Sequence, residues 1–167
     1  MDTLYGAARK AGFSCKKEQK AEDGSRPGDL FFARLDADGP AAVDVTIRDP
    51  LAPSHPCPKA KFEDWHHEQE LQKCRKYVVA CRNKGWSFKP FVMDVYGGMG
   101  EEARALAKTI IESLVGQKEG WQRRGLEASV WQDISFGLMK EVSKQLVWSV
   151  HGSWEDIQTD CQHLPYN

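Results

Sequence analysis

Two aspartates occupy positions where a strand pattern would otherwise carry apolar side chains. Asp29 starts the strand pattern of residues 29–35, and Asp44 interrupts the apolar run of residues 41–47. A buried carboxylate needs a partner, a metal ion or a proton, because burying it unpaired is costly. Adjacent strands can bring two carboxylates within a few ångströms, where they repel each other unless a divalent cation lies between them. Oxygen ligands suit Mg²⁺ or Mn²⁺, so the pair predicts a metal site.

A helical pattern over residues 61–82 adds cationic side chains. Its predicted apolar stripe consists of Leu71, Cys74, Val78 and Cys81, and a second stripe beside it consists of His66, Glu70, Lys73 and Tyr77. A lysine next to two carboxylates can hold the attacking water and stabilise charge developing on a phosphate. The helical geometry favours Lys73 for the catalytic role and Lys76, nearer the solvent, as a phosphate contact. The alternative is that Lys73 is a solvated charge.

Other interpretations of these residues stay open. Asp29 could be a turn residue at a strand edge, and Asp44 could pair with an arginine such as Arg26 or Arg48. A zinc site is disfavoured, because the spacing of the candidate ligands is not a known zinc pattern and adjacent histidines rarely both bind one ion. Solvent-exposed histidines that contact phosphate at a helix start are favoured instead. The candidate zinc ligands are His55, Cys57, His66 and His67.

Three segments together resemble a known family. They are Pro27-Gly28-Asp29, Asp44-Val45-Thr46 and Lys73-Cys74-Arg75-Lys76-Tyr77. Their order resembles the PD-(D/E)XK nuclease superfamily and, more narrowly, the restriction-like endonuclease domain of non-LTR retrotransposon reverse transcriptases. The resemblance covers roughly residues 26–100. It departs from the family pattern at Gly28, which is inserted in the proline–aspartate motif, and at Thr46, which stands where the superfamily usually has a lysine.

The resemblance implies a metal-dependent endonuclease that cuts DNA. Asp29 and Asp44 would bind Mg²⁺ or Mn²⁺, and Lys73 and Lys76 would complete the catalytic set. The implied nucleic-acid contacts are Arg75, Lys76, Tyr77 and His66. A catalytically inactive module that binds nucleic acid or protein is the alternative.

Apolar periodicity and turn signals give the elements that would position these residues. The pattern predicts a helix over 2–12, strands over 13–22, 29–35 and 41–47, a helix over 61–82, a strand over 88–96 and a helix over 101–115. One or two further helices follow over 116–150. The predicted fold class is α/β, a restriction-endonuclease-like core of α-β-β-β-α-β order. In that core, helices flank a central mixed sheet, and extra C-terminal helices follow.

We divide the chain into a core (1–115), a helical extension packed on it (116–150) and a loosely ordered tail (151–167). A stripe of Trp and Leu residues over 121–148 is attributed to core or to a homodimer interface that would bury Trp131 and Trp148.

The composition indicates the cellular location of the protein and limits the kinds of nucleic-acid binding it could have. Five cysteines at scattered positions suit reduced thiols, and no apolar run is long enough to span a membrane, so an intracellular location, nuclear or cytoplasmic, is expected. The net charge of −1 excludes a uniformly basic nucleic-acid-binding protein. Residues 59–89 nevertheless carry eight Lys or Arg against four Asp or Glu, a local patch that fits either a nucleic-acid backbone or a solvated helix face.

Overall fold

A computed structural model describes residues 2–17, 28–36, 39–52, 64–116 and 120–151. The elements follow one another in the predicted order. They are α1 (Asp2–Lys10), β1 (Cys15–Lys17), β2 (Leu30–Asp36), β3 (Gly39–Arg48), α2 (Trp65–Arg82), β4 (Ser87–Asp94), α3 (Glu101–Val115) and α4 (Gly120–His151). Gly12 and Gly85 follow the ends of α1 and α2 with φ of 86° and 71°, a left-handed conformation that suits glycine at a helix end.

The four strands form one mixed sheet in the order β1-β2-β3-β4. β1 and β2 are antiparallel, as are β2 and β3, whereas β4 runs parallel to β3 after the α2 crossover. β3 therefore occupies an inner position with a partner on each side, which its near-continuous apolar run predicts. The coarse expectation of a mixed sheet flanked by helices is confirmed.

The two faces of the sheet have different coverings. Ala41 and Val43 point to one face with Phe91 and Met93 of β4, where they join the apolar core formed with α1, α3 and α4. The alternating residues Ala42, Asp44 and Thr46 point to the opposite face, because successive side chains of a strand alternate. α2 lies over this second face, where Tyr77 meets Phe88 at 5.4 Å between ring centroids.

The rotation of α2 about its axis differs from the prediction. Leu71, expected in the apolar stripe, is 40% exposed, whereas Glu70 is only 4% exposed. Trp65 and Cys81 are buried as well, so the buried face of α2 includes Glu70 from the second stripe and Cys81 from the predicted apolar stripe. The prediction for Leu71 was wrong because hydrophobicity was counted without the polar partners that the neighbouring elements offer.

The region after residue 116 contains one long helix, α4. Val130 and Ile134 of α4 belong to the apolar core. Trp121, Phe136 and Met139 are exposed, and Trp131 is 36% exposed. The side chain of Trp148, residues 152–167 of the expected tail and the proline-rich segment 53–63 lie outside the described residues. Within the part of the chain described, none of the helices combines the length and apolar character needed to cross a membrane.

Candidate metal and catalytic site

The register of β2 and β3 brings the two predicted aspartates together. Leu30 is paired with Val43, so Asp29, one residue before β2, stands next to Asp44. Side chains of directly opposed residues in an antiparallel pair share a face of the sheet. The Asp29 Oδ2 atom accepts a hydrogen bond of 2.8 Å from the backbone N–H of Val45. Asp29 is therefore fixed to β3, where its charge interacts with that of Asp44.

Gly28 makes this approach possible. A Cβ atom at this position would lie 2.7 Å from the carbonyl oxygen of Val43 and 3.0 Å from its carbonyl carbon. Backbone atoms of an inner strand cannot move away easily, so a side chain at position 28 would push the chain off β3. The glycine that departs from the proline–aspartate pattern is thus compatible with Asp29 reaching the site.

Asp44 is held by two side chains. Its Oδ2 atom lies 2.7 Å from Nζ of Lys73 and accepts a hydrogen bond of 3.1 Å from the Thr46 hydroxyl. The Lys73 side chain is 22% exposed, so it is not a solvated charge. Of the arginines considered as partners of Asp44, Arg48 donates to Gln69 instead, and Arg26 lies outside the described residues. Lys73 of α2 thus reaches the carboxylate on the strand that carries Thr46.

Electrostatics favour a cation at the aspartate pair. Burial raises the pKa of Asp29 above its usual value, the hydrogen bond from Val45 opposes this, and the Asp44 charge raises it further. The Lys73 charge already lowers the Asp29 pKa, and a metal ion between the carboxylates would oppose both unfavourable contributions further.

The residues at this site that could hold a metal ion are the two aspartates. No group of three or more His, Cys, Asp or Glu side chains able to hold a metal occurs among the described residues. Mg²⁺ is commonly bound by one or two carboxylates, with water and substrate phosphate completing its shell. Asp29 and Asp44 meet that smaller requirement.

The other predicted residues of α2 lie near the Tyr77 ring or face solvent. Lys76 is exposed, and its Nζ atom lies 4.8 Å from the centre of the Tyr77 ring. Nζ of Lys73 lies 6.0 Å from the centre of the same ring, so both lysines are near Tyr77. Arg75 is exposed to solvent. Their contacts with nucleic acid stay a prediction.

His66 has a different environment from the one expected. Its Nε2 atom lies 3.0 Å from Oδ2 of Asp94, although the direction of approach is not that of a hydrogen bond. Only 15% of the His66 side chain is exposed, so the expectation of a solvent-exposed histidine was wrong. Of the other candidate zinc ligands, His67 is exposed, and residues 55 and 57 lie outside the described residues.

Asp94 was not identified in the sequence as a structural carboxylate. It is 2% exposed at the end of β4, and its Oδ1 atom accepts hydrogen bonds from the backbone N–H groups of Tyr96 and Gly98. The signal that could have found it is a carboxylate that ends an apolar strand just before Gly97-Gly98, since Asp accepts backbone N–H groups in turns.

Glu70 is a second carboxylate whose role the sequence pattern did not indicate. Its Oε1 atom accepts a hydrogen bond of 3.0 Å from the backbone N–H of Glu102, in the first turn of α3. Gly100, the N-cap residue of α3, has no side chain that could accept the hydrogen bond of the Glu102 N–H group. Burial raises the pKa of Glu70, whereas the hydrogen bonds from Glu102 and Ala103 lower it. One face of α2 thus contacts β3 through Lys73, β4 through His66 and α3 through Glu70.

Comparisons with known proteins gave no match: neither a scan of protein-family models nor searches of curated proteins and solved structures identified a similar protein.

Proposed function

We propose that this chain is a divalent-metal-dependent endonuclease that hydrolyses DNA phosphodiester bonds on a PD-(D/E)XK-like core. The observation that carries the proposal is the 2.7 Å contact between Lys73 and Asp44 beside Asp29. This contact joins a lysine from α2 to a pair of carboxylates contributed by β3 and by the residue before β2. The proposal is also supported by the α-β-β-β-α-β order of the elements and by the mixed sheet, which are the features that the family resemblance implies.

In this proposal the aspartates and the cations of α2 have separate roles in hydrolysis. Asp29 and Asp44 would hold Mg²⁺ or Mn²⁺, which when bound polarises a phosphoryl oxygen and lowers the pKa of a water molecule. Lys73 would orient that water or stabilise negative charge on the phosphate, because its ammonium group is already held at Asp44. Lys76 and Arg75, exposed on the same helix, would bind the flanking phosphates.

Metal binding and cleavage test this proposal together. Mn²⁺ is titrated calorimetrically into the parent protein, Asp44→Ala and Asp133→Ala, and each protein is then incubated with supercoiled plasmid and Mn²⁺. Asp133 is an exposed carboxylate on α4 and serves as the matched control. We expect metal uptake and nicking by the parent and by Asp133→Ala alone. Absence of metal uptake by the parent, or equal nicking by Asp44→Ala, would remove the nuclease proposal.

A non-catalytic nucleic-acid-binding module is the second candidate. It is favoured by Thr46 at the position of the usual lysine and by the ion pair with Lys73, which neutralises Asp44 without a metal. DNA binding that survives Asp44→Ala, with no cleavage by the parent protein, would select it.

A further inference from the structure

Four aromatic side chains, in two contacting pairs, lie on the same face of the sheet as the aspartate pair. Phe31 of β2 and Phe88 of β4 are both paired with Ala42 of β3, so they flank it on the face covered by α2. Phe31 lies 4.6 Å from Trp86 between ring centroids, and Phe88 lies 5.4 Å from Tyr77. We call Phe31, Tyr77, Trp86 and Phe88 the aromatic strip.

The aromatic strip begins two residues along β3 from the position of Asp44. Asp44 follows Ala42 by two residues on β3, a rise of roughly 7 Å. The Tyr77 ring connects the two regions, since Nζ of Lys73 lies 6.0 Å from its centre. If a metal ion at Asp29 and Asp44 holds a phosphate, as in the proposed function, the neighbouring nucleotide can place its base over the strip.

The strip is not part of the closed core. All four rings are half-buried, whereas Phe32 and Phe91 of the apolar core are 0% and 2% exposed. An open hollow of about 420 Å³ lies at its outer end, lined by Val78, Arg82, Gly85, Trp86, Ser87 and Phe88. Part of the ring surface is thus accessible to a flat, apolar ligand.

The chain segment that carries three of the four rings is rich in positive charge. Two of its cations form ion pairs, Lys73 with Asp44 and Lys89 with Glu102. Residues 71–90 include six cations and no Asp or Glu: Lys73, Arg75, Lys76, Arg82, Lys84 and Lys89. Nζ of Lys76 lies 4.8 Å from the centre of the Tyr77 ring, and Nζ of Lys84 lies 5.7 Å from that of Trp86. Aromatic faces interleaved with cations match a ligand that alternates bases with phosphates.

We propose that the aromatic strip binds unpaired bases of single-stranded DNA beside the scissile phosphate. Its position next to a cleaved bond rests on the proposed nuclease function, but the binding itself does not. Unpaired bases expose the faces that stack on aromatic side chains, whereas a duplex buries them in its own stack. The substrate would therefore contain a single-stranded segment, such as a flap or an opened site.

Fluorescence anisotropy without divalent metal tests the strip independently of cleavage. Labelled oligo-dT and a duplex of the same length are titrated with the parent protein, Trp86→Leu, Trp86→Phe and Phe88→Leu. Trp121→Leu is the matched control, because Trp121 is 77% exposed on α4. Far-ultraviolet circular dichroism establishes that each variant is folded. We expect Trp86→Leu and Phe88→Leu to weaken single-strand binding by roughly 5- to 150-fold, with the loss restored in part by Trp86→Phe.

The outcomes separate the two proposals. Selective loss of single-strand affinity supports the strip, and in that case absence of Mn²⁺-dependent nicking by the parent protein overturns the nuclease function alone. Equal loss for single strand and duplex, or an effect of Trp86→Leu and Phe88→Leu no larger than that of Trp121→Leu, overturns the strip. Nicking would then still stand as evidence for the nuclease.

Discussion

Asp44 lies between a cation and a hydroxyl, and the two contacts come from different parts of the chain. Thr46 is two residues further along the same strand, whereas Lys73 is brought to the site by α2. In the protein without metal, Lys73 occupies the Asp44 carboxylate and would compete with a metal ion for it. In the proposed nuclease, Lys73 would also act on the phosphate once both aspartates held the metal ion. Metal affinity and catalysis should therefore respond in opposite directions when Lys73 is removed.

Lys73→Gln is expected to strengthen Mn²⁺ binding and to weaken nicking. Binding improves because the ammonium group no longer competes for Asp44, and nicking falls by about 100- to 1000-fold because a fixed positive charge at the phosphate is lost. Calorimetry measures the first effect and plasmid relaxation under saturating Mn²⁺ measures the second. Lys76→Gln is the comparison, since it removes the same charge from the same helix at a lysine whose Nζ atom lies 4.8 Å from the centre of the Tyr77 ring. Equal losses in nicking for the two variants would contradict a special role for Lys73.

The raised pKa of Asp29 makes the free energy of unfolding depend on pH. This pKa is raised chiefly by burial, so the folded protein holds this proton more tightly than the unfolded chain does. The free energy of unfolding contributed by Asp29 is accordingly highest at acid pH and falls as pH rises through the raised pKa. Asp29→Asn removes the buried charge and keeps an oxygen for the Val45 N–H. We expect a higher Tm than the parent at neutral pH, a difference that shrinks in acid, and loss of nicking at every pH.

Thermal melts of both proteins across the pH range, with and without Mn²⁺, measure this effect. Mn²⁺ should raise the Tm of the parent protein at neutral pH and leave that of Asp29→Asn unchanged, because ligand binding stabilises only the protein that binds it. A Tm for Asp29→Asn below that of the parent at neutral pH would show that the carboxylate charge stabilises the fold.

At the scale of the elements, α2 is oriented by polar contacts as much as by apolar ones. Its buried residues are Trp65, Glu70 and Cys81. Glu70 can be buried because it accepts a hydrogen bond from a backbone N–H group in the first turn of α3. The N-cap residue of α3 is a glycine, which has no side chain to accept that hydrogen bond. The sequence pattern predicts the helix and its end at Gly85, since both depend on local signals. It does not predict which side faces the sheet, because that depends on donors 32 positions away along the chain.

Glu70→Ala is expected to lower the free energy of unfolding by about 0.5–2 kcal/mol, the usual effect of removing a helix cap. Glu70→Gln should lose less, because its side-chain oxygen can still accept the Glu102 N–H. Chemical denaturation measures both. Glu68→Ala serves as the control, since Glu68 is exposed on the same helix. Similar losses for Glu68→Ala and Glu70→Ala would mean that the contact with α3 contributes little.

At the scale of the whole molecule, the order of the elements could be predicted from the sequence. The full set of side chains that meet near the site could not. Alternating apolar runs, turn residues and one crossover helix specify three sequential strands followed by a parallel fourth. Asp29 and Asp44 could be paired from that order, because opposed residues on neighbouring strands share a face. Asp94 and His66 could not, since their contact depends on how the turn after β4 folds back. Long-range polar contacts of this kind leave no periodic signal in the sequence.

The distribution of charge over the molecule predicts how DNA binding responds to salt. A net charge of −1 gives little long-range attraction, so affinity depends on the cations of residues 71–90. For a single strand, each phosphate neutralised contributes about 0.7 to the slope of log affinity against log salt concentration. Lys76→Gln should reduce that slope by about 0.7. Lys140→Gln changes the net charge equally at an exposed position on α4 and should leave it unchanged. Oligo-dT titrations over a salt series measure both slopes, and equal changes would show that overall charge, not the local patch beside Asp44, governs binding.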